Sequence, residues 1–442
     1  MKKNNRKQRK EDKEKVNKIS DLEFIYLAYG KKAFIVPIVI MVILGAVIWG
    51  IVHNIRKNNA PQETADNEKE QVNYIWGEIK PGKRNTNNFT TVRSSDGVDV
   101  PVPTGYTASS TSDENSVRGG FVIYEGTEAV TDSNKWEAQC NRNQYVWIPI
   151  ADVSDMYWRD QTTGKKYGTR YTFSSSAYTK DATKKYEPQT TRHDIQSTNL
   201  TQYLNGMTRE DFLMEMEIDF DKMLNSVATY GGYYIGRYQA GDLSQATPVV
   251  KRINSDIHSQ TWYTMWKKSP RISTGGANVH MIWGIQWDET LKWLIDTGEK
   301  TYAEVGKAST SWGNYYNNSF TYYTNTSKTT ATKSMNTNKK IPSGAYEGAN
   351  ANNVFDLAGN VYDWTLESDG SGTGNFRCIR GGTYYSYGNY DPAAYRGDYG
   401  YPYGSNVGFG LRCVLYVNGK IICRKMAKKN VVFPTFFVSP NS

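Results

Sequence analysis

Twenty consecutive residues without a charge, Ala33 to Val52 (AFIVPIVIMVILGAVIWGIV), divide this chain into two unequal parts. As a helix they would cross about 30 Å of hydrocarbon. The run is longer than the apolar stretch of a secretory signal, about 7–15 residues, and no small-residue cleavage site follows it cleanly. It also lacks the polar face of a core helix at a domain surface. We read residues 33–53 as a transmembrane helix. Eleven Lys and Arg precede it and two, Arg56 and Lys57, follow closely. The positive-inside bias then places residues 1–32 in the cytoplasm and everything after the span outside. The expected localisation is a single-pass cell-membrane protein with an extracellular C-terminal domain.

The same segment accounts for the charge. The net charge is +9, and residues 1–57 hold 13 Lys/Arg against 5 Asp/Glu, which leaves about +1 for residues 58–442. A near-neutral outer part carries no basic groove, so no nucleic-acid partner is expected. Apolar residues make up 38% of the chain, below the usual ~45–50%, which excludes a polytopic membrane protein. The four cysteines, Cys140, Cys378, Cys413 and Cys423, are too few for a disulfide scaffold.

Residues 54–96 read as a linker and lead-in, because 58–75 lack apolar periodicity. Beyond them come short β-type runs bounded by Gly, Pro, Asn or Asp: VDVPVP (98–103), GGFVIYEG (119–126), QYVWIPI (144–150) and GGYYIGRYQAG (231–241). Two helical patterns interrupt them. Phe212, Met216, Phe220, Met223 and Val227 recur at helical spacing before Gly231, and Trp283, Trp287, Leu291 and Leu294 do the same further on. Both stripes are expected to be core faces. Two long polar excursions, about 155–208 and 298–350, are functional or mobile by their length. The tail, 418–442, is basic and then apolar, and no role is assigned to it.

The stretches NVFDLAGNVYDWTLES (353–368), RCIRGGTYY (377–385) and SNVGFGLRCVLY (405–416) stand in a recognisable order. They resemble the sulfatase-modifying domain, the family of formylglycine-generating enzyme, with its Gly-Asn-Val-x-Glu-Trp, Arg-Gly-Gly-Ser and closing Gly-Phe-Arg motifs. The likeness is specific over about 231–417 and looser over 97–150. It implies an α+β, C-type-lectin-like domain over 97–417, with a twisted antiparallel sheet, two helices and long loops. The variable ligand-binding proteins of diversity-generating retroelements use a similar fold. Fold alone does not choose between catalysis and binding.

In the resembling enzymes, two cysteines after Arg-Gly-Gly bind copper. The corresponding positions here are near Ser386 and Asp391, and thiolate is the side chain soft enough for Cu(I). The oxidase chemistry therefore has no place, and the chain is expected not to be an enzyme. Cys378 and Cys413 are expected to be two buried strand residues or one disulfide, with a displaced metal site as the less favoured alternative. Gly408-Phe409-Gly410-Leu411-Arg412 has two residues between Phe and Arg, which puts the family role of that Arg in doubt. Asp363 stands where the family has Glu. In the resembling enzymes that carboxylate, with nearby backbone carbonyls, can hold calcium, so the resemblance implies calcium near Asn360 and Asp363, and oxygen-only sites suit hard cations; a turn with Asp363 bonded to backbone is the alternative. The four His, at 53, 193, 258 and 280, lack metal-ligand spacing.

Residues 384–406 read YYSYGNYDPAAYRGDYGYPYGSN, eight Tyr in the first twenty. Tyr with Ser, Gly and Asn is the alphabet of antibody paratopes, because Tyr gives large rigid contact at low entropy cost. The candidate ligand-contact residues are Tyr385, Tyr387, Asn389, Tyr390, Tyr395, Arg396, Asp398, Tyr399, Tyr401, Tyr403, Ser405 and Asn406. Trp364, Ile379 and Phe409 are expected beneath them. The reading is a membrane-anchored, non-catalytic surface protein that recognises an extracellular protein or glycan. The alternatives are an altered sulfatase-modifying enzyme and a structural loop of packed Tyr.

Overall fold

The computed structural model describes residues 78–82, 84–183, 197–368 and 377–417. The expected transmembrane span, the cytoplasmic segment, most of the linker, the tail and Cys423 lie outside them. Among the described residues no helix is long and apolar enough to cross a membrane.

Helix α1, Arg209–Tyr230, forms where the apolar period predicts it. The Thr208 hydroxyl caps it by accepting from the Asp211 N–H, and Glu210 and Asp211 complement the positive end of the helix dipole. Gly231 ends it at φ +83°, a left-handed conformation that costs glycine little, with its N–H on the Val227 carbonyl. Phe212, Met216, Phe220, Met223 and Val227 are all buried. Helix α2, Gly284–Asp296, carries the second stripe, and Trp287, Leu291 and Leu294 are fully buried. Trp283 lies just before it, and its N–H is held by the Gln286 side chain at 3.1 Å. Among the described residues, four shorter helices, at 135–141, 197–204, 262–268 and 302–306, add to the two expected.

The strands gather into two main sheets. The larger uses β1 (Tyr106–Ala108), β2 (Val122–Glu125), β3 (Gln144–Pro149), β4 (Gly232–Gly236) and β5 (Ala277–Met281). The smaller comprises β6 (Tyr362–Ser368), β7 (Arg377–Arg380), β8 (Arg396–Gly400) and β9 (Phe409–Leu411), and β10 (Cys413–Val417) returns to the larger. The larger sheet runs β5-β10-β4-β3-β2-β1 and is antiparallel throughout; Tyr233 faces Ile148, and Val279 faces Leu415. Its strands read as nearly continuous apolar runs because helices and loops cover it, and the β3 and β4 residues are almost all buried. The smaller sheet runs β8-β7-β6-β9, and its β6–β9 pair is parallel, a departure from the wholly antiparallel expectation.

Both polar excursions contain ordered structure. The first holds hairpins 157–168 and 170–181 and the helix 197–204, and the second holds the hairpin 320–333. A further strand, Phe89–Arg93, lies within the expected linker and pairs with Asp99–Pro103. The result is a mixed α+β domain with a curled antiparallel sheet and few helices.

Candidate functional site

The motif residues meet where the chain passes from one sheet to the other. Arg412 is the single residue between β9 and β10 and is fully buried. Its Nε donates to Asp363 at 3.1 Å, Nη1 to the Gly236 carbonyl at 2.9 Å, and Nη2 to the carbonyls of Phe355 and Asp356 at 2.9 and 3.1 Å. The guanidinium thus joins β6, the end of β4 and the turn at 355–356. Burial pushes the Asp363 carboxyl up, and Arg412 opposes that shift. Asn360, at φ +65°, uses its whole amide. It donates to Gln239 and the Ile341 carbonyl, and accepts from Asn314 and the Ile341 N–H.

These positions do not fit calcium. A guanidinium sits against the carboxylate, and the Asn360 oxygen already accepts two hydrogen bonds, whereas Ca²⁺ needs six to eight oxygens. Among the described residues, no group of three or more His, Cys, Asp or Glu could hold a metal ion. The copper positions do not fit their metal either. Ser386 Oγ accepts from the Thr383 N–H at 2.9 Å and closes a turn. The Asp391 carboxylate accepts from the Tyr362 hydroxyl at 2.5 Å. Cys378 and Cys413 are buried free thiols on strands of different sheets, so of the two readings it is the unpaired one that holds. Burial pushes both thiols up, away from the reactive thiolate.

The Tyr-rich segment runs across the outside of this frame. Tyr385, Tyr387, Asn389, Tyr390, Tyr401, Tyr403, Ser405 and Asn406 are exposed, and Tyr390 is 73% exposed. Tyr387 packs against Tyr390 and Tyr316, with centroids 5.8 and 5.4 Å apart. The backbone beneath is pinned. Ser309 N–H donates to the Gly388 carbonyl, Tyr316 N–H to that of Ser386, and Ala394 N–H to that of Val305. Further along, the Trp262 N–H donates to the Pro402 carbonyl and the Ser259 N–H to that of Asn406. Gly408 lets Tyr385 approach closely, since a Cβ there would fall 2.3 Å from its hydroxyl. Trp364 and Ile379 are buried as expected; Phe409 is only half-buried, edge-on to Trp364 at 4.9 Å.

Two of the expected contact residues are half-buried rather than exposed. Tyr395 is half-buried against Tyr362. Arg396 has only 13% of its side chain exposed, because Asp288 and Glu367 draw its guanidinium down at 2.5 and 3.1 Å. Asp398 and Tyr399 lie on β8, and their side chains are outside the described set.

Arg396 belongs to a chain of charges beneath the segment. Arg170 pairs with Glu367 at 2.5 Å, Glu367 with Arg396, Arg396 with Asp288, and Asp288 with Arg380 at 2.7 Å. Asp288 also accepts from the Tyr171 N–H at 2.9 Å. Although Glu367 is fully buried, the guanidiniums of Arg396 and Arg170 hold its carboxyl well below the usual range. Above this chain opens a cleft of about 350 Å³, lined by Arg170, Lys307, Asn389, Tyr390, Tyr395 and Arg396 among others.

Glu289, the next residue along α2, behaves oppositely. Burial raises its carboxyl from the ordinary 4.5 to about 7, with Lys292 opposing and Asp155 adding to the shift. A raised carboxyl favours the folded state fully below pH ~4.5, and that stabilisation is lost as pH rises through 7, by about 3 kcal/mol. Glu289→Gln should therefore be more stable than the parent at pH 8, by up to about that amount, and equal to it near pH 4. Denaturant melts at the two pH values check this.

Residues 283–417 match the family model of the sulfatase-modifying factor enzyme 1-like domain. The chain carries such a domain. The match begins at Trp283, before α2, and ends with β10. No curated protein and no solved structure matches the chain, and no likeness to the variable proteins of diversity-generating retroelements was found. The sulfatase-modifying-type domain thus takes in Asp288, Glu367, Arg380, Arg396 and Arg412, while Arg170 reaches it from an earlier hairpin. Sequence reasoning missed Asp288, Glu367, Arg170, Arg380 and Lys307 as site residues. One signal was present: Asp288 is an acid at helical spacing from Gly284 and Leu291, on a face otherwise apolar.

Proposed function

We propose that this domain is a non-catalytic recognition module of the C-type-lectin type, held at a cell surface by the span at 33–53. It binds an extracellular protein or glycan through the exposed Tyr side chains of 384–406. The observation that carries this reading is a row of solvent-facing Tyr on a backbone pinned to 305–316 and 259–262. A rigid support under aromatic, hydrogen-bonding side chains is the usual arrangement for recognition. Ser386 and Asp391, engaged in the turn and with Tyr362, speak against the copper-dependent alternative.

The test is the Tyr387→Ala/Tyr390→Ala double variant of the full chain, compared with the parent on an array of extracellular glycans and proteins. Surface truncations cost about 0.5 kcal/mol each, so its melting temperature should barely move. Loss of a hot-spot Tyr should weaken binding by about 2 kcal/mol or more, roughly 30-fold. A large fall in melting temperature with unchanged binding would make the Tyr residues structural. Conversion of a sulfatase peptide's Cys to formylglycine, read by mass spectrometry, would establish the enzyme instead.

A further inference from the structure

Three guanidiniums, those of Arg170, Arg380 and Arg396, meet two buried carboxylates, Glu367 and Asp288, under the cleft. Lys307, exposed at the rim, has no ion-pair partner among the described residues and adds a fourth cation. Glu289 on the same helix brings at most one further negative charge. Arg380 is fully buried, and its Nη1 finds no acceptor among the described residues. Arg396 uses three of its N–H groups, on Glu367, Tyr171 and Asp288, out of the five a guanidinium carries. Cations held in place by buried carboxylates are already desolvated and ordered, so an incoming anion meets them preorganised.

The rest of the lining selects the kind of anion. Tyr390 and Tyr395 offer flat aromatic area, and Asn389 and Thr172 offer neutral hydrogen-bonding groups. The cleft is open and has no aliphatic trench to seat peptide side chains. We propose that it binds the carboxylate of an acidic sugar, with Lys307 and Arg396 facing the carboxylate and Tyr390 covering the sugar ring. This rests on the recognition reading above and names its ligand class.

The experiment titrates the full-length protein with a glucuronate-containing tetrasaccharide, the same tetrasaccharide after carboxyl reduction, and a tetraglutamate peptide. The acidic tetrasaccharide should bind, and its affinity should fall at least tenfold in Lys307→Glu and at least tenfold on carboxyl reduction. Lys307 lies outside the buried charge chain, so that variant folds. Equal binding of the reduced sugar, or an unchanged affinity in Lys307→Glu, overturns the proposal. Stronger binding of tetraglutamate overturns it in favour of an acidic peptide. A neutral glycan bound through Tyr387 would refute the carboxylate site and leave the recognition surface standing. Uronate binding that needs Lys307 but ignores Tyr387→Ala would support this site and remove the Tyr surface.

Discussion

Replacing Arg412 by methionine should abolish cooperative folding of the domain. Methionine is shorter but of only slightly smaller volume, so the loss is chiefly of charge and donors rather than of packing volume. Asp363 would be left fully buried with its counter-charge gone. Breaking a buried pair by removing one partner costs about 3–5 kcal/mol. The carbonyls of Gly236, Phe355 and Asp356 would lose the donor that joins them, and each orphaned buried acceptor adds about 1–3 kcal/mol. Together these rival the whole stability of a typical domain, about 5–15 kcal/mol. Loss of the near-ultraviolet circular dichroism of the buried Trp and Tyr, without a melting transition, is the expected readout. Adding Asp363→Asn should restore part of it, because the second change removes the stranded charge. If Arg412→Met melts like the parent, the junction is not held by this guanidinium.

How much of this was legible beforehand differs by element. Helices α1 and α2 were readable because an apolar period of 3.6 residues, kept up over several turns, lines one face of a helix and would scatter over both faces of a strand; Gly231 then marks a stop. Strands β3 and β4 were readable as apolar runs between turn residues. The hairpins at 157–168, 170–181 and 320–333 were not. Their strands are three or four residues rich in Thr, Lys and Tyr; Tyr171 with Phe173, and Phe320 with Tyr322, do alternate onto a buried face, but two positions are too short a run to read as a period. The motif around Asn360 and Asp363 was visible, but not its partner. Sequence spacing does not say that Asp363 meets Arg412, 49 residues on, and without that pairing a carboxylate beside carbonyls reads as a cation site. Arg396 was legible as a candidate, but its setting was not. An Arg among Tyr, Gly and Asp looks like paratope, and only the fold brings Asp288 and Glu367 beneath it.

Asp288 and Glu289 are adjacent acids on one helix, and their amide variants should move stability in opposite directions. Asp288 is fully buried and serves Arg380, Arg396 and the Tyr171 N–H at once. Asp288→Asn keeps the shape and one acceptor for Tyr171, but removes the charge that two guanidiniums share. Glu367 alone would then face Arg170 and Arg396, and Arg380 would have no carboxylate within reach among its present partners. Stranding a buried cation costs about 3–5 kcal/mol, so the denaturation midpoint should fall sharply at neutral pH. Burial and the neighbouring Arg396 already push Arg380 down, so its charge depends closely on the carboxylate that Asn would remove. Glu289 holds no such cations. It pairs with no guanidinium among the described residues, one of its oxygens is buried without a partner there, and its ionisation is a cost that Gln removes. Denaturant curves of Asp288→Asn and Glu289→Gln at pH 8 should therefore lie on opposite sides of the parent. If both variants lose stability by similar amounts, packing at this turn of α2 outweighs its charges, and the cleft above would rest on shape rather than on a preorganised positive site.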